Sequence, residues 1–268
     1  MKNKNVITVA AIQALSKGHL TNPENVRHAI KLLHEASDMG ADIACFPEAY
    51  PATGVKEICE AAREFQIFVV AGFVLHEGDH LYNDCLLIDA DGREIGRQRK
   101  VHVPPCVEIY SHGEKYNVIE TPWGKIGILI CIDGWGFPEG FQRMHEAGVE
   151  LIFNPNLIFK KKLQRRMSLL SRILDYKIPI ISPNNPYWSF RLMPKDEGLP
   201  PEGGGSLILV PPEFKSVEEI GKFMREESSC EGWIVSEGGN EEEILIEKIE
   251  LEAVKRTRLL WNNSFLGL

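Results

Sequence analysis

The chain has 268 residues, with 30 Lys and Arg against 38 Asp and Glu, so its formal net charge at neutral pH is −8. This acidic balance excludes a general binder of nucleic acid or of anionic membranes, because phosphate-rich partners require a positive field. Apolar stretches such as residues 126–132 are far shorter than the ~18 residues that span a bilayer, and residues 1–5 are too short and polar for a secretory signal. We therefore expect a cytoplasmic protein.

Cysteine usage and chain organisation point to one reduced globular unit. The six cysteines are sparse, and no pair has the C-x-x-C spacing of a redox or zinc motif. A domain usually has ~150 residues, so the length allows one or two domains. No linker rich in Pro, Gly or Ser and no repeat divides the chain. We predict a single domain over residues 1–268 with free thiols.

Hydrophobic periodicity predicts strands that alternate with helices around two central hairpins. Asn22 and Pro23 are typical of a helix N-cap and first turn. The predicted elements are strand 6–13, a helix from 23, strand 43–46, helix 56–65, strand 67–75, hairpins 82–89/94–98 and 117–120/125–130, helix 138–145, strand 149–153, helix 160–177, strand 178–182, extended segments 206–210, 232–236 and 243–250, and helix 251–260. This order predicts an α/β fold with a mixed sheet covered by helices and with ligands at the carboxyl ends of strands.

Three reactive side chains directly follow predicted strands: Glu48, Lys100 and Cys131. A carboxylate, an amine and a thiol suffice for nucleophilic acyl chemistry without a metal. The carboxylate takes the thiol proton, the thiolate attacks an electrophilic carbon, and the ammonium stabilises the oxyanion. We therefore expect the site where these strands end.

Each of the three residues also has an ordinary structural interpretation. Cys131 is compatible with a small core residue, Glu48 with a loop carboxylate, and Lys100 with a solvated basic run. The context favours a reactive Cys131, because the strand runs into a Gly-containing bend and then a helix start. Such an elbow exposes the side chain and leaves backbone N–H groups free to face an oxyanion. Only the combination of the three residues is informative.

The segments around these residues resemble the three signature blocks of the nitrilase superfamily of carbon–nitrogen hydrolases. The blocks are FPE at 46–48, RKVHVP at 99–104 and ICIDGWGFPEGF at 130–141. They occur in the family's order, and the spacing from Lys100 to Cys131 (131 − 100 = 31) is close to that of the family. The likeness extends from VAAIQ at 9–13 to ILIEKIELEAVKRTR at 244–258, and so covers nearly the whole chain.

The resemblance implies a four-layer α-β-β-α sandwich and assigns roles to the reactive residues. Glu48 corresponds to the general base, Lys100 to the amine that stabilises the oxyanion, and Cys131 to the nucleophile. Glu108 resembles a second glutamate that lines the pocket and positions Lys100, and the backbone N–H of Ile132 corresponds to a second oxyanion donor. Without the resemblance, Glu108 would be interpreted as a loop carboxylate.

The residues after the nucleophile bear on the substrate. Ile132-Asp133 is more similar to the amidase side of the family than to nitrilases, in which Trp and Glu usually stand there. Gly134 and Trp135 replace the arginines that hold the substrate carboxylate in N-carbamoyl amino acid hydrolases. Phe137 is six residues after Cys131, where the family usually has five, so an added glycine alters the pocket wall. We expect a small amide as substrate; nitrile or N-carbamoyl hydrolysis and a non-catalytic binding protein remain alternatives.

Other polar and aromatic residues are weaker candidates. Tyr50, Trp135 and Asn156 lie near strand ends and are candidates for the acyl pocket, with ordinary packing or turn formation as the alternative. The resemblance also implies a homodimer or larger assembly, and the apolar tail 261–268 is expected to be buried against a partner or another part of the chain.

Two further groups receive no catalytic role. Arg165, Arg166 and Arg172 share a predicted helix with several lysines, and we interpret them as a solvated face. His102, Cys106 and His112 fit no standard zinc spacing and lack an evident fourth ligand. We therefore predict no metal and no cofactor.

Overall fold

The computed structural model describes residues 5–158, 161–186, 203–225 and 230–266. In chain order, the elements within these ranges are β1 (Val6–Gln13), α1 (Pro23–Asp38), β2 (Ile43–Cys45), β3 (Pro51–Ala52), α2 (Val55–Phe65), β4 (Phe68–Glu77), β5 (His80–Ile88), β6 (Glu94–Arg99), β7 (Val118–Thr121), β8 (Gly124–Ile128), α3 (Ile132–Trp135), α4 (Glu139–Glu146), β9 (Leu151–Phe153), α5 (Lys162–Tyr176), β10 (Ile180–Ser182), β11 (Leu207–Leu209), α6 (Val217–Arg225), β12 (Ile234–Glu237), β13 (Glu243–Glu250) and α7 (Leu251–Leu266). None of the helices in these ranges has the length and apolar composition needed to cross a bilayer.

The strands form two mixed sheets. The first has the order β13-β1-β2-β4-β5-β6, with β3 beside β4, and the second has the order β12-β11-β10-β9-β8-β7. In the first sheet β1, β2 and β4 are parallel, and β13, β5 and β6 join as antiparallel strands. In the second sheet β8, β9 and β10 are parallel. The carboxyl ends of these parallel strands therefore define one edge of each sheet.

Three apolar clusters separate four layers. Alternate residues of a strand face opposite sides of its sheet, so in β1 Val9 packs between the two sheets and Ala10 packs towards α1 and α2. In β9, Phe153 faces the first sheet and Ile152 faces α4 and α5. The order of layers is helices, sheet, sheet, helices. This confirms the α-β-β-α sandwich of the nitrilase superfamily type that the sequence resemblance implied.

Most predicted elements are present, with bounds that shift by a few residues. Asn22 caps α1 by accepting a hydrogen bond from the Glu24 N–H at 3.0 Å, and Pro23 is the first helical residue. The short elements β3, α3 and α6 were not predicted. In α6 the apolar residues Ile220 and Phe223 lie among charged residues and next to Gly221. An apolar pattern this short does not by itself indicate a helix.

Candidate active site

Glu48, Lys100 and Glu108 form one buried hydrogen-bonded group. Glu48 follows β2, Lys100 follows β6, and Glu108 lies in the loop after Lys100. The Lys100 Nζ donates to Glu48 Oε1 at 2.6 Å and to Glu108 Oε1 at 2.5 Å, and the lysine side chain is only 1% exposed. A buried ammonium between two carboxylates is well compensated, because each charge has an opposite charge in contact.

Cys131 lies at a tight elbow between β8 and α3. Its φ of 51° is in the left-handed region, where a non-glycine residue carries a strain of about 1–3 kcal/mol. Its thiol lies close enough to Glu48 and to the Leu157 N–H for both to shift its pKa. The structure therefore places the Cys131 thiol beside the Glu48 carboxylate.

The prediction that the elbow exposes the Cys131 side chain is wrong, because the residue is only 7% exposed. The segment that follows β9 closes over the elbow: the Cys131 N–H donates to Pro155 O at 2.8 Å, and Leu157 reaches the thiol. This segment also binds Glu48, since the Leu157 N–H donates to Glu48 Oε2 at 3.1 Å. One backbone segment thus holds both the thiol and the carboxylate in place.

The electrostatics of the site favour a neutral thiol and a charged amine. Burial, followed by the negative charge of Glu48, raises the pKa of Cys131, although Lys100 opposes the shift. Burial alone would lower the pKa of Lys100, but attraction to the carboxylates of Glu48 and Glu108 outweighs it and raises that pKa. The thiol therefore needs a base before it can act as a nucleophile, and the ammonium is available to stabilise negative charge.

Two further buried residues, Asn83 and Asp133, hydrogen-bond within the site, and their roles were not predicted. Asn83 in β5 is buried and donates from Nδ2 to Glu48 Oε1 at 2.8 Å. Asp133 is fully buried and accepts from the Val101 and His102 N–H groups at 3.0 and 2.7 Å, which ties the elbow to the chain after Lys100. An asparagine in the middle of a predicted strand was a usable signal for Asn83, because a buried amide requires partners.

Tyr110 also lies beside the carboxylates and was not predicted. Burial, then repulsion from the charges of Glu48 and Glu108, raises the pKa of the Tyr110 hydroxyl to about 12. The hydroxyl is therefore protonated at neutral pH. A tyrosine in a polar loop carries no sequence signal for this placement, because only the folded loop brings it towards Glu48.

The three candidates for the acyl pocket have different surroundings. The Tyr50 hydroxyl contacts His28 Nδ1 at 2.8 Å, and its ring packs under α1 and α2, so its side chain is on the helix side of the first sheet. Trp135 packs beside the elbow, between the clusters on both faces of the second sheet. The Asn156 O accepts from the Glu48 N–H at 3.3 Å, while its side chain binds Ser182. The structure thus brings the Asn156 backbone, but not the Tyr50 side chain, to Glu48.

The interpretation of the arginines of α5 as a solvated face is wrong for Arg165, which is 1% exposed. Its Nη1 donates to Ser182 Oγ at 3.0 Å, and Nη2 donates to Gly205 O. Arg166 is partly exposed and paired with Glu237, as expected for a surface residue. Local sequence could not distinguish the two, since the acceptors of Arg165 come from distant segments.

His102 and Cys106, which were considered as metal ligands, lie in environments that do not form a metal site among the described residues. His102 Nδ1 contacts Asp133 Oδ1 at 2.9 Å, and Cys106 is exposed. Within the described ranges, no group of three His, Cys, Asp or Glu side chains is placed to hold a metal ion.

A cavity of about 300 Å³ adjoins the elbow and is lined by Val101, His102, Val103, Pro104, His112, Ile132 and Phe137. Phe137 stacks on His102 with a centroid distance of 3.9 Å. The two glycines of the elbow are required by close contacts: a Cβ on Gly134 would lie 2.5 Å from Asn154 Nδ2, and one on Gly136 would lie 2.4 Å from Ile132 Cγ1. The added glycine therefore allows the turn to close and places Phe137 in the cavity wall.

Comparison with known proteins agrees with this geometry. Residues 8–188 match the family model described as carbon-nitrogen hydrolase. The chain belongs to the carbon–nitrogen hydrolase family. Its fold is shared by Saccharomyces cerevisiae Nit3, described as a member of branch 10 of the nitrilase superfamily, with a TM-score of 0.74 and 20% identity over 95% of this chain and 93% of Nit3.

Two curated relatives of this carbon–nitrogen hydrolase are amidases by name. Omega-amidase NIT2 of Xenopus tropicalis is 30% identical over 159 residues, which is 49% of this chain and 57% of the relative. N-carbamoylputrescine amidase of Solanum tuberosum is 29% identical over 186 residues, which is 59% of this chain and 61% of the relative. The chain therefore spans about three fifths of the length of these relatives.

We predict that Glu108 makes the stability of this protein depend on pH. Burial, then repulsion from Glu48, raises the pKa of Glu108 from 4.5 to about 7, although Lys100 opposes the shift. The folded state thus binds this proton more tightly than the unfolded state. The contribution of Glu108 to stability is therefore neutral below pH 4.5, becomes increasingly unfavourable between pH 4.5 and about 7, and is constant above that range.

Urea unfolding of wild type and Glu108→Gln between pH 4 and 8 tests this prediction. We expect the free energy of unfolding of the wild type to fall relative to the variant as the pH rises. A difference between the two proteins that does not change with pH, or that grows in favour of the wild type, would contradict the prediction.

Proposed function

We propose that this chain is a cysteine-dependent hydrolase that converts a small amide to a carboxylic acid and ammonia. The observation that carries the proposal is that buried Glu48 lies beside the Cys131 thiol and accepts a hydrogen bond from the Lys100 ammonium. Membership of the carbon–nitrogen hydrolase family and the names of the two curated relatives support amide hydrolysis.

Acylation begins with proton transfer from Cys131 to Glu48. The thiolate attacks the amide carbon, and the Lys100 ammonium and the Ile132 N–H stabilise the oxyanion. Among the described residues, the Ile132 N–H has no backbone acceptor, as expected for the first residue of α3. Protonated Glu48 then gives its proton to the departing nitrogen, so ammonia leaves and a thioester remains on Cys131.

Deacylation uses the same groups in reverse. Glu48 deprotonates a water molecule, and the hydroxide attacks the thioester carbon to form a second oxyanion at Lys100. Collapse of this intermediate releases the carboxylic acid, and the sulfur recovers its proton from Glu48. No cofactor takes part in this sequence, because proton transfer and acyl transfer suffice.

N-carbamoyl hydrolysis is the second candidate. It is supported by the similarity to N-carbamoylputrescine amidase, although the arginines that hold a substrate carboxylate in N-carbamoyl amino acid hydrolases are replaced by Gly134 and Trp135. The same apparatus would attack the carbamoyl carbon. Nitrile hydrolysis and a binding role without turnover are weaker alternatives.

Three further properties stay predictions from the sequence: a cytoplasmic location, a single domain, and assembly as a homodimer or larger oligomer.

Ammonia release from a panel of substrates tests the proposal. The panel contains aliphatic and aromatic amides, monoamides of dicarboxylic acids, the matching nitriles and N-carbamoyl amines, with carbon dioxide measured in parallel. We expect ammonia without carbon dioxide from an amide. Carbon dioxide from N-carbamoyl compounds alone would favour the second candidate, and release from nitriles alone would favour nitrile hydrolysis. No release from any compound would contradict the proposal.

A further inference from the structure

Arg165 is a buried cation for which the proposed chemistry has no role. It lies in the first turns of α5, and its guanidinium donates to Ser182 Oγ at 3.0 Å, to Ser182 O at 3.3 Å and to Gly205 O. No carboxylate is paired with it among the described residues, and its Nε has no hydrogen-bond partner there. A buried charge with only neutral partners is costly, so its presence calls for a specific reason.

Ser182 connects Arg165 to the segment that holds the reactive group. Its Oγ accepts from Arg165 Nη1 and from Asn156 Nδ2 at 2.8 Å, and it donates to Asn154 Oδ1 at 3.3 Å. The hydroxyl thereby uses its one donor and both acceptor positions. Its orientation is therefore determined by Arg165 together with the two asparagines.

The two asparagines hydrogen-bond to the backbone of Cys131 and of Glu48. Asn154 Nδ2 donates to Cys131 O at 3.1 Å, which ties it to the elbow. The Asn156 O accepts from the Glu48 N–H at 3.3 Å, and the next residue, Leu157, donates its N–H to Glu48 Oε2. A continuous path of hydrogen bonds thus runs from Arg165 through Ser182 to both Glu48 and Cys131.

We propose that Arg165 is a positioning residue that holds Glu48 and Cys131 in reactive geometry through Ser182, Asn154 and Asn156. The inference rests on the proposed function, in which Glu48 takes the thiol proton. Arginine suits this place because its planar fork reaches Ser182 and Gly205 at once, joining the end of β10 to the turn before β11. Burial lowers the pKa of Arg165 to about 10, so the guanidinium stays charged at neutral pH.

Four variants test this inference. Arg165→Met removes the fork, Ser182→Ala removes only the connecting hydroxyl, and Arg165→Lys keeps the charge without spanning both acceptors. Arg258→Met is the control, because Arg258 is partly buried and also donates to a carbonyl. Its acceptor, Val149 O, precedes β9, whereas the path from Arg165 runs through residues that follow β9. Each variant is assayed for kcat and KM and for the rate at which iodoacetamide alkylates Cys131, with exposed Cys106 as internal reference.

For Arg165→Met, Ser182→Ala and Arg165→Lys, we expect kcat to fall about 10-fold to 100-fold with little change in KM, because misplaced reacting groups slow the chemical step. Alkylation of Cys131 should slow as well, while that of Cys106 stays unchanged. Arg258→Met should lose stability but keep its kcat and alkylation rate.

A wild-type kcat and alkylation rate in folded Ser182→Ala would overturn the inference, even if Arg165→Met fails to fold. Full activity in Arg165→Lys would overturn the bridging role, because charge alone would then suffice. Alkylation needs no substrate, so it tests the positioning role even if the wild type hydrolyses no amide. The failure of the proposed function and the failure of this inference are thereby distinguishable.

Discussion

Replacement of Cys131 by alanine is expected to lower kcat for ammonia release by at least about 10⁴-fold. Without the thiol no thioester forms, and the amide would have to be attacked by water directly. The fold should persist, because alanine carries the same backbone strain as cysteine at this φ and leaves only a small buried gap. Steady-state ammonia release measures the loss, and a melting curve reports the fold.

Cys59→Ala is the matched control for this variant. Cys59 lies on α2, on the outer side of the first sheet, and has no contact with the reactive group. Its replacement should leave kcat within about twofold.

Mixing the wild type with a good substrate and quenching in acid should add the acyl mass to the peptide that contains Cys131. Turnover in Cys131→Ala that equals the wild type would refute covalent catalysis at this residue.

Replacement of Lys100 by methionine is expected to lower kcat on the order of 10²-fold to 10³-fold and to destabilise the fold by about 3–5 kcal/mol. The loss of rate follows from the missing oxyanion donor. The loss of stability follows because Glu48 and Glu108 would remain in a buried site without their shared cation. Ammonia release and urea unfolding measure the two effects separately.

The double variant Lys100→Met/Glu108→Gln separates the two consequences. Removing one of the two stranded carboxylates should recover part of the stability, because less charge is left unpaired, but should not recover kcat. Lys125→Met serves as control, since Lys125 donates to Ala147 O, away from Glu48. Unchanged kcat in Lys100→Met would exclude this lysine as an oxyanion donor.

The positions of the strands and of the reactive residues could be predicted because both depend on local patterns. Short apolar runs bounded by turns indicate buried strands, and the alternation of strands with helices places the ends of parallel strands on common edges. Glu48, Lys100 and Cys131 each follow such a run, so a shared site was a reasonable prediction. The four-layer arrangement came from the resemblance, since periodicity does not show that the strands divide into two sheets.

The supporting residues could not be predicted, because their partners are distant in sequence. Arg165 donates to acceptors 17 and 40 residues away, and a helix with several basic residues gives no indication of which one turns inward. Tyr50 follows a strand closely, as Glu48 does, yet its side chain faces α1.

The sequence by itself determined the type and order of most strands and helices, and the reactive residues that follow three of the strands. These features depend on the hydrophobicity and chemistry of residues close together in the chain. Only the tertiary structure decided that Cys131 is covered, that Glu108 shares Lys100 with Glu48, and that Arg165 is buried. Burial and hydrogen bonding at these positions depend on segments that meet only after the two sheets have packed.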